Sequence, residues 1–258
     1  MKNINEDFTN LIEYKANIYS QNGEDGILKE ILKRLNLKNK IKWCVEFGAW
    51  DGIHLSNTYN LVRKGWKAVY IEGNRKKFND LLKTKRKNRN IIAINEFVSR
   101  NRLSKNSLDN ILKKTDIPKD FEILSIDIDS FDLEVWQSIS FFDPKIVIIE
   151  INSAYPPGII KWHSEEYSNV NGNSFSATLK VGQDKGYDLI CHTGNMIFIK
   201  KEFTELINMD PKLLKYPELL FQDKWYSIEK NKYNKFTNKV FAFLKIKIIN
   251  KIKKLIFK

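Results

Sequence analysis

Two short apolar runs, joined by an acidic glycine loop and closed by a glutamate, constrain this chain more than any other feature. Ile41-Lys42-Trp43-Cys44-Val45 reads as a buried strand, and Glu46-Phe47-Gly48-Ala49-Trp50-Asp51-Gly52 follows it. A helix over about 56–63 and a second strand, Lys67 to Ile71, then lead to Glu72, twenty residues after Gly52. Strand, glycine turn, helix, strand and acidic residue make the layout of a nucleoside-binding βαβ unit. The glycines let the backbone approach a ligand closely. A carboxylate at the end of the second strand can accept hydrogen bonds from both hydroxyls of a ribose.

The loop also bears on which nucleoside is held. A dinucleotide site calls for G-x-G-x-x-G, so that a pyrophosphate sits on a helix N-terminus. Here the spacing is Gly48-x-x-x-Gly52, flanked by Glu46 and Asp51. Carboxylates there would repel a pyrophosphate and attract the ammonium and sulfonium of S-adenosylmethionine. The spacing points to a methyl donor rather than to NAD.

The rest of the chain supplies more strands. Residues 1–19 are expected to form a helix, with Phe8, Leu11, Ile12 and Ile18 as apolar positions. The polar stretch Tyr19–Gly26 either caps the next helix, with Asp25 as N-cap, or reaches over the cofactor. The spacing of Ile27, Leu28, Ile31, Leu32 and Leu35 is helical. Helices are expected over 76–85, 108–114, around 133–136 and over 175–185. Further strands are expected over 90–95, 121–127, 144–152, 187–192 and 196–200. This order predicts an α/β fold: a doubly wound, Rossmann-like sheet, mostly parallel with one antiparallel strand. Ligands bind such sheets at the carboxyl ends of the strands. Glu46, Glu72, Glu96, Asp127 with Asp129, and Glu150 with Asn152 are all expected there. The chain divides into a helical cap (1–40), a catalytic domain (41–210) with an insertion near 153–173, and a tail (211–258).

Charge separates the tail from the body. The net charge is +13, but residues 230–258 hold ten lysines and no acid, leaving 13 − 10 = +3 for residues 1–229. The body therefore lacks the footprint of a nucleic-acid binder. Phe241, Leu244, Ile248, Ile252 and Leu255 recur at helical spacing among the lysines. Such a tail can lie on an anionic membrane or pack on a protein. Cys44 and Cys191, both in expected strands, fit reduced thiols in a cytoplasmic protein. The N-terminus carries no apolar run of the signal-peptide kind, and no run approaches the roughly 18 apolar residues of a membrane span.

In combination, Ser20-Gln21-Asn22-Gly23-Glu24-Asp25-Gly26, Val45-Glu46-Phe47-Gly48-Ala49-x-Asp51-Gly52, Ser56-Asn57-Thr58, Tyr70-Ile71-Glu72-Gly73 and Ile126-Asp127-x-Asp129-x-Phe131 resemble FkbM-type S-adenosylmethionine-dependent methyltransferases. The likeness is to the bacterial branch associated with capsule and surface-polysaccharide sugars. It extends through Gly172-Asn173-Ser174 and Gly194-Asn195-Met196-Ile197-Phe198, covering about residues 19–201. Trp50 departs from it, being bulkier than that loop position suggests. The resemblance implies a class I methyltransferase fold and O-methylation of a sugar hydroxyl, on a nucleotide-sugar such as a heptose or within a surface glycan.

On this reading the cofactor-binding candidates are Gln21, Glu46, Gly48, Ala49, Gly52, Ser56, Asn57, Glu72 and Asp127. Methyl transfer is an in-line displacement needing alignment and removal of the hydroxyl proton. Candidate catalytic groups are Asp127, His163 and His192; His54 is a further histidine near the loop. Asp127, Glu150 and Asn152, with Asp129 close by, could instead hold Mg²⁺ or Mn²⁺ through hard oxygen ligands. The insertion mixes flat faces with polar groups, as a sugar pocket requires. Asp129, Asn152, Tyr155, Trp162 and His163 are the substrate-binding candidates. A homo-oligomer is left open. Two rivals remain, an NAD-dependent nucleotide-sugar oxidoreductase and a non-catalytic scaffold of a polysaccharide assembly.

Overall fold

The computed structural model describes residues 8–38, 41–164 and 172–222 of the 258. Among the described residues, seven strands form one sheet: β1 (Trp43–Phe47), β2 (Lys67–Ile71), β3 (Ile91–Ile94), β4 (Ile123–Ile126), β5 (Ile146–Glu150), β6 (Tyr187–His192) and β7 (Asn195–Lys200). Their order is β3-β2-β1-β4-β5-β7-β6. β7 alone runs against its neighbours β5 and β6. This is the expected doubly wound, Rossmann-like sheet, parallel except for one strand.

Alternation along the strands explains why helices cover both faces. Val45, Phe47, Val69, Ile71, Leu124, Ile126, Val147 and Ile149 join one core with Leu108, Trp136 and Phe175. Cys44, Ala68, Tyr70, Ile123, Ile146 and Ile148 join the other, with Ile27, Ile31, Phe78 and Ile207. Successive residues point to opposite faces, so a strand buried on both sides must be apolar at nearly every position. The second face is covered by α1 (Glu24–Leu35), α2 (Tyr59–Val62), α3 (Arg75–Lys87) and α7 (Thr204–Ile207). The first is covered by α4 (Leu108–Leu112), α5 (Asp132–Ser138) and α6 (Phe175–Asp184). Each fully buried aliphatic or aromatic side chain contributes about 1.5–3 kcal/mol.

Several local expectations need correction. The helix expected over 1–19 is, among the described residues, a single 3-10 turn at Leu11–Tyr14; residues 1–7 lie outside the description. Its apolar spacing is too sparse to bury a continuous stripe. Asp25 is not an N-cap. Gly23 holds that position with φ +98°, and Asp25 lies in the first turn, where its Oδ2 accepts the amides of Ile18, Tyr19 and Ser20. The helix expected over 56–63 shortens to α2, because Ser56 and Thr58 spend their side chains on Glu46 instead. β1 begins at Trp43, two residues later than expected, and takes in Glu46 and Phe47. Of the tail, residues 211–222 pack on the domain as α8 (Pro211–Lys215) and a 3-10 turn at Pro217–Leu220. The lysine-rich remainder and its membrane reading lie outside the described residues.

Candidate functional site

The sheet order reverses between β1 and β4, so their carboxyl ends define the crevice where such folds take ligands. Gly48 stands at that point with φ +79° and its backbone exposed. A Cβ there would lie 1.6 Å from the Asp127 carbonyl oxygen. No side chain fits, so the two loops can meet only through this glycine. The amides of Gly48 and Ala49 are held by the Ile71 carbonyl. Gly52, at φ +75°, lies over Tyr70 and Leu81, where a Cβ would meet ring and methyl at 2.8–2.9 Å.

Glu46 is not at the rim but inside β1, on the second face. Its Oε2 accepts from Ser56 Oγ (2.9 Å), Thr58 N (3.1 Å) and Thr58 Oγ1 (2.5 Å). Thr58 Oγ1 also meets the Tyr70 hydroxyl, and Asn57 donates to Ser125 Oγ. Ser56, Asn57 and Thr58 thus form a polar plug beneath the loop, all buried. Desolvation, against those donors, pushes the Glu46 carboxyl up to about 7.

Glu72 lies directly after β2 and is buried, its Oε2 accepting from the Trp50 amide (2.9 Å) and its Oε1 from the Asn74 amide (2.7 Å). Each oxygen keeps a second lone pair. Trp50 takes φ +44°, a strained conformation for a bulky residue. Its half-exposed ring meets His54 edge-on, and the Lys77 ammonium lies 5.1 Å above it. The Phe97 ring lies where a Gly73 Cβ would be and is itself exposed. Gln21 is exposed just before α1, whose Glu24 is fully buried on Thr193 and Asn195. Glu96 is exposed beyond β3.

Across the crevice stands a second acidic group. One carboxylate oxygen each of Asp127, Asp129 and Glu150 lies within 4.8 Å of the others. Asp127 is open to solvent although protein surrounds most of it, as on the floor of a cleft; Glu150 is half-buried. Asp127 and Glu150 face one another in this cluster, and desolvation raises both carboxyls, so the pair favours holding a proton. Desolvation, then repulsion from Asp127 and Asp129, raises the Glu150 carboxyl strongly. Asp129 takes φ +57°. The turn that presents it is closed by Asp132, whose oxygens accept from the Ile128 and Ser130 amides. Burial pushes Asp132 up to about 7. Asn152 turns its Oδ1 to the Ala154 amide. Sequence reasoning passed over Asp132, although an acid shortly after a strand and beginning a helix is a signal for such a turn.

The insertion is tied to the start of α6: Lys161 exchanges hydrogen bonds with Ser174, and the His163 amide donates to Asn173 Oδ1. Trp162 packs against the first core, and Tyr155, seven residues before it, is partly buried. Phe131 is held between the Arg100 guanidinium, 3.7 Å above it, and the His163 ring, 4.6 Å away edge-on. Arg100 was not among the sequence candidates. His163 Nδ1 accepts the Gly172 amide (3.2 Å), and His192 Nδ1 accepts the Gln222 amide (2.8 Å). A neutral imidazole has one lone pair. In this geometry both histidines therefore present an N–H, not an acceptor, from their remaining nitrogen.

No protein-family profile matches the sequence, and no curated protein does. Solved structures do. A S-adenosylmethionine-dependent methyltransferase from Clostridium acetobutylicum ATCC 824 matches at 10% identity over 69% of this chain and 90% of that one, with TM-score 0.44. The N-terminal domain of EvdMO1, solved with SAH and D-fucose, matches at 10% identity over 73% and 91%, with TM-score 0.42. A S-adenosylmethionine-dependent methyltransferase from Aquifex aeolicus matches at 12% identity over 66% and 85%, with TM-score 0.39.

Proposed function

We propose that the chain is a S-adenosylmethionine-dependent O-methyltransferase acting on a sugar hydroxyl, on a nucleotide-sugar or a surface glycan of the kind its FkbM-like motifs suggest. The observation that carries this reading is the acidic crevice at the β1–β4 reversal, with Glu72 on one side and Asp127, Asp129 and Glu150 on the other. A cationic sulfonium with its ammonium suits that field; a pyrophosphate does not. Glu72 takes the ribose diol on its second lone pairs, and Gly48 and Gly52 let the methionine end approach the backbone. Phe97 and Trp50 offer flat surface for the base. Glu46, Ser56 and Asn57 hold the loop from below rather than touching the cofactor.

Asp127 receives the hydroxyl proton, while Glu150 keeps the shared proton of the pair and orients it. Asp129 and the insertion, with Tyr155, Trp162 and His163, hold the sugar. The donor set of Asp127, Asp129 and Glu150 also fits Mg²⁺ or Mn²⁺, as hard oxygens do. When bound there, the ion would lower the pKa of a ligated hydroxyl. Contact of the lysine-rich tail with an anionic membrane would suit an acceptor carried on a lipid.

Calorimetric titration with S-adenosylhomocysteine and, separately, with NAD tests the reading. Saturable binding of the first alone supports it and warrants a screen of nucleotide-sugars with and without Mg²⁺ or Mn²⁺. Binding of NAD alone replaces it with the oxidoreductase, and binding of neither favours the scaffold.

A further inference from the structure

His192 ends β6 and is fully buried, yet methyl transfer as proposed gives it no part. Its two ring nitrogens meet two different pieces of chain. Nδ1 lies 2.8 Å from the Gln222 amide, and Nε2 lies 3.2 Å from Ser153 Oγ. A backbone amide can only donate, so Nδ1 must accept and the ring proton sits on Nε2, donated to Ser153. The ring stacks on Phe221 (5.2 Å, 11°) and meets Phe175 edge-on at 5.6 Å. Phe221 closes the set, edge-on to Phe175 at 5.4 Å.

Topology says what this joins. β6 runs in the same direction as β1–β5, so His192 stands at the carboxyl edge of the sheet, where the crevice is. Ser153 lies three residues past β5, at the root of the insertion. One imidazole thus reaches across β7 from the insertion's root to the segment that follows Pro217–Leu220. An imidazolium would have no acceptor for Gln222. Burial, with a smaller effect from Lys15, lowers the ring to about 3, which keeps it neutral.

We propose that His192 is a positioning residue: held as the Nε2–H tautomer, it clamps Phe221–Gln222 to Ser153 and so fixes the root of the substrate insertion. Only the word substrate rests on the methyltransferase reading; the clamp does not.

Imidazole ¹⁵N spectra and hydrogen exchange on the full chain test it. The spectra should show a pyridine-like Nδ1 and a pyrrole-like Nε2; the opposite tautomer overturns the proposal. Gln222→Pro deletes the amide donor alone, and Phe221 already has φ −61° and ψ 125°, a backbone suited to precede proline. Exchange over 153–159 should then quicken about five- to tenfold while S-adenosylhomocysteine affinity stays within about twofold. Unchanged exchange there overturns the clamp. Should Gln222→Pro fail to fold, Ser153→Ala decides from the other end: faster exchange at the Gln222 amide supports the clamp, and an unchanged rate overturns it. Absence of cofactor binding in wild type would sink the methyltransferase reading and leave the exchange comparison intact.

Discussion

Glu46 in β1 and Glu150 at the end of β5 are both glutamates near the carboxyl ends of parallel strands in one sheet, and they live in opposite surroundings. Glu46 receives three hydrogen bonds from the Ser56–Thr58 stretch and is sealed beneath the glycine loop. Glu150 faces Asp127 and Asp129, groups that repel its charge. A carboxylate surrounded by donors holds structure. One facing its own kind calls for a proton or a cation and is destabilising without one. The β1–β2 half of the crevice is thus built for rigidity, and the β4–β5 half keeps its electrostatic demand for a proton or a cation.

Substitutions can break this contrast. On the proposed methyltransferase reading, the largest effect is expected from Asp127→Asn, which should cut methyl transfer by about 10³-fold with the cofactor still bound; near-wild-type single-turnover transfer would remove Asp127 from the proposed role of base. Gly48→Ala should cost more than about 3 kcal/mol in urea unfolding, since its Cβ meets the Asp127 carbonyl in a left-handed backbone. On the donor-rich side, Thr58→Val should cost about 2 kcal/mol by leaving Glu46 short of a buried partner, read from the same transitions. Glu72→Gln should weaken S-adenosylhomocysteine binding by about 1–2 kcal/mol in calorimetry, and unchanged affinity would remove Glu72 from the ribose site.

The smallest effect should have the opposite sign. The folded-state value of Glu150 is raised to about 9, above the roughly 4.3 of an unfolded chain. Its contribution is therefore fully present below about pH 4 and lost as pH rises toward 9. Glu150→Gln should be more stable than wild type by about 1 kcal/mol at pH 8 and show a flatter dependence of melting temperature between pH 5 and 9. Parallel profiles for the two proteins would mean that Glu150 ionises freely.

Much of this was legible before any coordinates. Periodicity placed all seven strands and the single antiparallel one, because a strand buried on both faces leaves an apolar run that few other structures tolerate. Spacing marked Gly48, Gly52 and Glu72 for the same reason: only certain residues fit a close backbone approach. Sequence named Glu46, Ser56 and Asn57 as cofactor-binding candidates but did not show their burial beneath the loop, since alternation says which face a side chain takes but not what covers that face. It also set His163 and His192 among the possible bases. Whether an imidazole offers a lone pair depends on what its other nitrogen touches, and Gly172 and Gln222 are distant partners that no local pattern announces.

The sequence by itself determined the sheet, its loop and the acidic residues at its edge, because strand periodicity and glycine sterics act over a few residues. The tertiary structure alone decided which of those acids are quenched by donors and which face one another. Hydrogen bonding and charge repulsion act through space, between residues that only the closed fold brings within a few ångströms.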